Sequence, residues 1–210
     1  RTAAGAFFDI VIQGKGGHGA FPHLAIDPIP IAAQLVNALQ TVVSRSTSPN
    51  DSVVFSITKI HAGDAYNVIP DSARLSGTVR TFSMDKMRQI EAQVQDLAQS
   101  TAAAFGASAA LDFKVPFHPV VNDEATTAFA GDVCASIAGD GNVLRAGAPG
   151  TGSEDFSFMA EQVPGCYLII GNGEDSNALH NPGYDFNDDA IVYGGSFFAR
   201  VTEQELVGVR

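Results

Sequence analysis

The chain has 210 residues, 45% hydrophobic and 17% charged, enough apolar material for an ordered core in one large or two small domains. Its net charge of −11 argues against nucleic acid or an anionic membrane surface as partner, since both need clustered basic residues. No apolar run approaches the ~20 residues that span a bilayer, and no secretory signal is visible, so no membrane partner is expected.

Phe8, Ile10 and Ile12 alternate with Asp9 and Gln13, the period of a half-buried strand. The strand feeds into Gln13-Gly14-Lys15-Gly16-Gly17-His18-Gly19-Ala20-Phe21-Pro22-His23, with four glycines in the seven residues Gly14 to Ala20. A backbone with so few steric limits is costly to order. Either the loop aims His18 at a reactant, or it is a flexible connection with an incidental histidine. Its spacing matches neither the dinucleotide fingerprint nor the Walker loop.

Asp27 and Pro28 then open a helix as cap and first residue. Ile31, Leu35, Val36, Leu39, Val42 and Val43 form its apolar stripe. Val53, Phe55 and Ile57 mark a second strand, and Asn67-Val68-Ile69-Pro70 leads into a third. In that third strand Leu75, Gly77 and Val79 point one way and Arg74, Ser76, Thr78 and Arg80 the other. Ser83 caps a helix with the stripe Met87, Ile90, Val94, Leu97, Thr101 and Phe105, and Gly106 stands where a left-handed C-cap belongs. Leu111, Phe113 and Val115 make a fourth strand. The order βαββαβ is that of a ferredoxin-like domain, with both helices on one sheet face and Ser56, Thr58, Thr78 and Arg80 on the other.

From His118 the pattern changes. Thr126 to Ile137 reads as a helix, Asn142-Val143-Leu144 as a short strand, and Ser153 as the cap of a helix starting at Glu154-Asp155. Cys166-Tyr167-Leu168-Ile169-Ile170 is continuously apolar, as a strand covered on both faces would be. Asn187 caps a last helix. One covered strand with a single weak neighbour leaves a sheet unfinished, so this half reads as part of an α/β domain continued upstream of Arg1. Cys134 and Cys166 read as free thiols of a reducing, cytoplasmic compartment.

Local chemistry leaves several roles open. His180, in Leu179-His180-Asn181-Pro182-Gly183, follows the apolar run, where α/β sheets place their ligands; it is either a metal ligand or a turn histidine. A catalytic zinc site needs three protein ligands, and no clustered set is present. Arg80 is either a carboxylate clamp or a solvated surface cation, and Asn67 has an ordinary turn role as its default. Glu154 and Asp155 read as first-turn acids, and His23, His61 and His118 carry no constellation.

Taken in order, Gly14-Lys15-Gly16-Gly17-His18, Asn67-Val68-Ile69-Pro70, Gly77-Thr78-Val79-Arg80-Thr81-Phe82, Gly152-Ser153-Glu154-Asp155-Phe156 and His180-Asn181-Pro182 resemble one family across nearly the whole chain. It is the metal-dependent amidohydrolases that include hippurate, N-acyl-amino-acid and auxin-conjugate hydrolases, related to the aminoacylase and carboxypeptidase group. The resemblance implies a ferredoxin-like lid and dimerisation domain over 6–117, then the C-terminal part of an α/β aminopeptidase-like catalytic domain over 118–210. It implies a homodimer through the lid, an N-acyl amino acid or small peptide as substrate, and two divalent metal ions (zinc, manganese, cobalt or nickel) in a complete site. It makes His18 the residue that stabilises the oxyanion in the partner subunit's site and His180 a metal ligand. Asn67, Arg80, Gly152 and Ser153 become substrate-binding residues. The family's other metal ligands and its general-base glutamate have no counterpart in these 210 residues, so the chain by itself is expected to be inactive. The rival expectation is a non-catalytic dimerisation or ligand-binding module of ferredoxin-like fold.

Overall fold

The computed structural model describes residues 1–207, so the last three positions of the expected 118–210 segment lie outside it. Two compact units are present: Arg1–Val120 with Pro149–Phe158, and Val121–Ala148 with the chain from Met159 onward.

In the first unit, strands β1 (Ala4–Gln13), β3 (Val53–His61), β5 (Ser72–Thr81) and β6 (Ser108–Phe117) form one antiparallel sheet in the order β3-β5-β1-β6. Helices α1 (Pro28–Leu39) and α3 (Met84–Ala104) pack together on one face, with the short α2 (Thr41–Ser44) following α1. This is the expected ferredoxin-like order. The core joins Phe8, Ile10, Ile12, Leu75 and Val79 to Ile31, Leu35, Leu39, Met87, Ile90 and Val94. Burial along β5 alternates as the sequence predicts, with Leu75 and Val79 inside and Arg74 outside.

Capping follows local chemistry. Asp27 accepts the Ile29 N–H at 2.9 Å with Pro28 at the first helical position, and Ser83 accepts the Lys86 N–H at 3.4 Å. At the end of α3, Gly106 has φ +76°, and the Ala107 N–H reaches the Ala102 carbonyl at 3.0 Å, a Schellman closure. The last turn of that helix buries Ala98 and Ala102 rather than Thr101 and Phe105; Phe105 is 51% exposed.

The glycine-rich stretch is not a free loop. None of its glycines has positive φ, and a Cβ at Gly14 would lie 2.2 Å from the Ile26 carbonyl oxygen. Glycine is needed there because two backbones meet: Lys15 bridges Ile26, and the Gly16 N–H donates to Asp71 Oδ1 at 2.8 Å. The stretch ends in β2 (Gly17–His18), paired with β4 (Val68–Ile69) as a two-stranded ribbon.

In the second unit, α4 (Glu124–Ala138) packs against α6 (Asp189–Val207). Asp123 caps α4 by accepting the Thr126 N–H and hydroxyl, each at 2.8 Å. Two expected strands are absent among the described residues. Asn142 ends a 3-10 turn, Asp140–Asn142, and Val143-Leu144 continue without sheet pairing. Cys166–Ile170 is irregular chain tied to Asn122 through the Tyr167 N–H and carbonyl, both at 3.0 Å, and Ile169 is 84% exposed. An apolar run becomes a covered strand only where neighbouring strands accept its backbone bonds, and no described strand lies beside it. The helix expected from Glu154 begins later, as α5 (Phe156–Ala160), and Ser153 does not cap it. No described helix is long and apolar enough to cross a membrane.

Candidate functional site

His18 and Asn67 come together on the β2–β4 ribbon. His18 pairs with Val68, and the adjoining Gly19 N–H donates to the Asn67 carbonyl at 2.8 Å. Both residues are exposed. The His18 ring is nonetheless held: its Nδ1 accepts the Ala20 N–H at 3.1 Å, and the Phe21 ring packs on it with centroids 5.3 Å apart.

Arg80 and Ser153 lie at a second place in the same unit, on the sheet face opposite the helices. Gly5 of β1 is the direct partner of Arg80 on β5. The loop at 150–153 crosses the start of β1, where the Ala3 N–H is shared by the Gly150 and Gly152 carbonyls, each at 3.1 Å. A Cβ on Gly5 would lie 2.6 Å from Ser153 Oγ and 3.5 Å from Arg80 Cζ, so both side chains lie against Gly5 in room that only glycine leaves. Arg80 donates through Nη1 to the Thr78 hydroxyl and to the Val79 carbonyl, the latter at 3.0 Å, with Cζ 5.7 Å from the Phe7 ring centroid. Its remaining N–H groups make no side-chain bond among the described residues, which keeps part of a carboxylate-matching fork available. Ser153 Oγ is buried with no hydrogen-bond partner among the described residues. The hydroxyl lies against Gly5, on the strand pair that carries Arg80. Next to it, Glu154 raises the Asp155 carboxyl above the usual range, by a side-chain hydrogen bond first and like charge second.

His180 stands in the second unit, in a turn closed by the Asn181 N–H on the Ala178 carbonyl at 3.1 Å. It is exposed and left-handed, with φ 68°. Asparagine side chains hold the surrounding loop. Asn172 Nδ2 donates to the Asp185 carbonyl and Asn177 Nδ2 to the Gly183 carbonyl, both at 2.7 Å. A non-glycine residue in this conformation is costly unless its surroundings impose it, which motivates a functional reading.

Residues 4–105 match the model of the peptidase dimerisation domain of M20 proteins. The chain is 37% identical over 196 residues to an N-acetylcysteine deacetylase of Bacillus subtilis, covering 92% of this chain and 50% of that protein. It is 36% identical over 211 residues to an IAA-amino acid hydrolase, ILR1-like 2, of Arabidopsis thaliana, covering 97% of this chain and 47% of that protein. A dinuclear metal binding peptidase from the M20 family of Bacillus subtilis superposes with TM-score 0.72 at 30% identity, over 94% of this chain and 49% of that one. Residues 4–105 are thus a peptidase dimerisation domain of the M20 type. The chain spans about half the length of the relatives it matches.

No group of three or more His, Cys, Asp or Glu is placed to hold a metal ion among the described residues. The described residues therefore do not by themselves fit a complete metal centre. Sequence reasoning missed Gly5, Phe7, Ala20 and Phe21. The alternation that put Phe8 inside also put Phe7 outside, and the small-residue run Ala3-Ala4-Gly5-Ala6 marked a place of close approach. Nothing local pointed to Ala20, whose contribution is a backbone N–H. Burial pushes the Cys134 thiol up, and the Thr126 donors hold the Asp123 carboxyl below its ordinary range.

Proposed function

We propose that this chain is the lid with the C-terminal catalytic portion, divided near residue 117, of a homodimeric, metal-dependent amidohydrolase that cleaves N-acyl amino acids or small peptides. The observation that carries the reading is Arg80 on the sheet face opposite the helices, its Nη1 held by Thr78 and Val79 and the rest of its fork free among the described residues to match a substrate carboxylate. The names of the relatives support the substrate class, since they describe deacetylation of an N-acetylated amino acid and hydrolysis of an amino-acid conjugate. Gly152 holds the loop carrying Ser153 to β1 through its carbonyl on the Ala3 N–H, and Asn67, whose carbonyl accepts the Gly19 N–H beside His18, is assigned to substrate binding. His18 donates a hydrogen bond to the oxyanion that develops on the scissile carbonyl. His180 serves as one of the metal ligands, the others lying outside these residues. The exposed end of the apolar run, Leu168, Ile169 and Ile170, supports a catalytic sheet completed by strands outside this chain, which by itself would be inactive. Cys134 and Cys166, both free thiols, support a cytoplasmic setting.

The test is His18→Ala in the full-length dimer. Loss of an oxyanion donor should lower kcat by about 10²–10³ with little change in KM. An unchanged kcat with a raised KM would make His18 a binding residue and overturn its assignment.

A further inference from the structure

We propose that the turn Gly19-Ala20-Phe21 locks His18 as its neutral Nε2–H tautomer, with Phe21 the positioning residue for its ring. The inference rests on the oxyanion reading of His18 for its use, but on the turn alone for its truth.

An exposed imidazole ordinarily samples its rotamers and exchanges both neutral tautomers in water. His18 is fixed without being buried. Its main chain is held by the pairing with Val68, by the Gly19 N–H on the Asn67 carbonyl at 2.8 Å, and by the Phe21 N–H on its own carbonyl at 2.8 Å. Its ring is held by the Ala20 N–H on Nδ1 at 3.1 Å and by the Phe21 ring at 5.3 Å with a 49° tilt. Phe21 is in turn braced edge-on by His23, 6.4 Å away at 87°.

A backbone N–H can only donate, so Nδ1 must present its lone pair and the ring proton must sit on Nε2. The turn thereby chooses between two chemistries. A general base needs the lone pair at the nitrogen that meets the substrate, whereas an oxyanion donor needs the proton there. With Nδ1 committed to Ala20, Nε2 is a donor and not a base. Ordering an exposed side chain this completely costs rotamer entropy and gains little burial in return, so its use lies in holding a donor at a fixed place.

The test reads the tautomer directly, in the 15N-labelled chain without substrate, by long-range 1H–15N correlation at a pH where the imidazole is neutral. His18 should show a protonated Nε2 and an unprotonated Nδ1 as one unaveraged pattern. Phe21→Ala should bring in the other tautomer or an averaged pattern, Phe21→Tyr should restore the parent one, and Ala20→Pro, which deletes the donor, should abolish the bias. In the full-length enzyme Phe21→Ala should lower kcat about tenfold at unchanged KM, the equivalent of one net hydrogen bond. A parent His18 that is Nδ1-protonated or averaged overturns the lock, and a parent pattern unchanged in Phe21→Ala removes Phe21 from it. If the lock holds while His18→Ala leaves kcat intact, the oxyanion role falls and the tautomer assignment stands.

Discussion

Replacing Ser153 by Ala should make the protein more stable and a poorer binder of its substrate. The Ser153 hydroxyl oxygen is buried and has no partner among the described residues, and a buried unpaired hydroxyl costs about 1–3 kcal/mol. The substitution removes that cost and leaves a void the size of one oxygen beside Gly5, which returns part of the gain as lost packing. A net stabilisation of about 1 kcal/mol is expected, a rise in Tm of about 2–4 °C for a chain of this size. Calorimetry is the suitable assay, since two units need not unfold in one step. Ser157→Ala is the control: Ser157 Oγ is also buried and unpartnered, so it should stabilise comparably while leaving substrate affinity alone. In the full-length enzyme Ser153→Ala should raise KM for N-acyl amino acids. A fall in Tm would show that the hydroxyl is paired in solution, and a rise in Tm with KM unchanged would remove Ser153 from the binding cluster.

Arg80→Met should raise KM for N-acyl amino acids by about ten- to a hundredfold, the worth of one charge-assisted pair, and spare amides lacking a free carboxylate; equal loss on both substrate types would sink the clamp. Leu35→Ala, at a fully buried position of α1, should cost about 2–5 kcal/mol, read as a lower urea midpoint at unchanged m, and a cost below about 1 kcal/mol would place Leu35 outside the core. Asp123→Asn keeps an N-cap but does not titrate. Because the folded-state pKa of Asp123 is depressed below its ordinary 3.8, its contribution is present above that value and is lost as pH falls through the lower folded one. The variant should match the parent at pH 7 and lose less stability in acid, and equal acid sensitivity would rule out the capping account.

Much of the first unit was legible before any coordinates because its signals are local. Alternation in Phe8, Ile10 and Ile12, helical spacing in Ile31 and Leu35, and the Asp27 and Ser83 caps each decide their own few residues, and they agree on one ferredoxin-like order. The β2–β4 ribbon escaped notice because two residues are too short to show a period. The Cys166–Ile170 run was read as a strand because its composition assumes neighbours that the described chain does not supply.

Chain order alone therefore determined the fold class of residues 4–117, the family motifs and the outward face that carries Arg80. Tertiary structure alone decided that Ser153 and Arg80 both lie against Gly5, and that a backbone N–H two residues on holds the His18 ring. The physical reason is range. Periodicity and capping are satisfied within one or two turns of chain, whereas a site is made by contacts between distant segments whose meeting depends on sheet register and on the path of a loop.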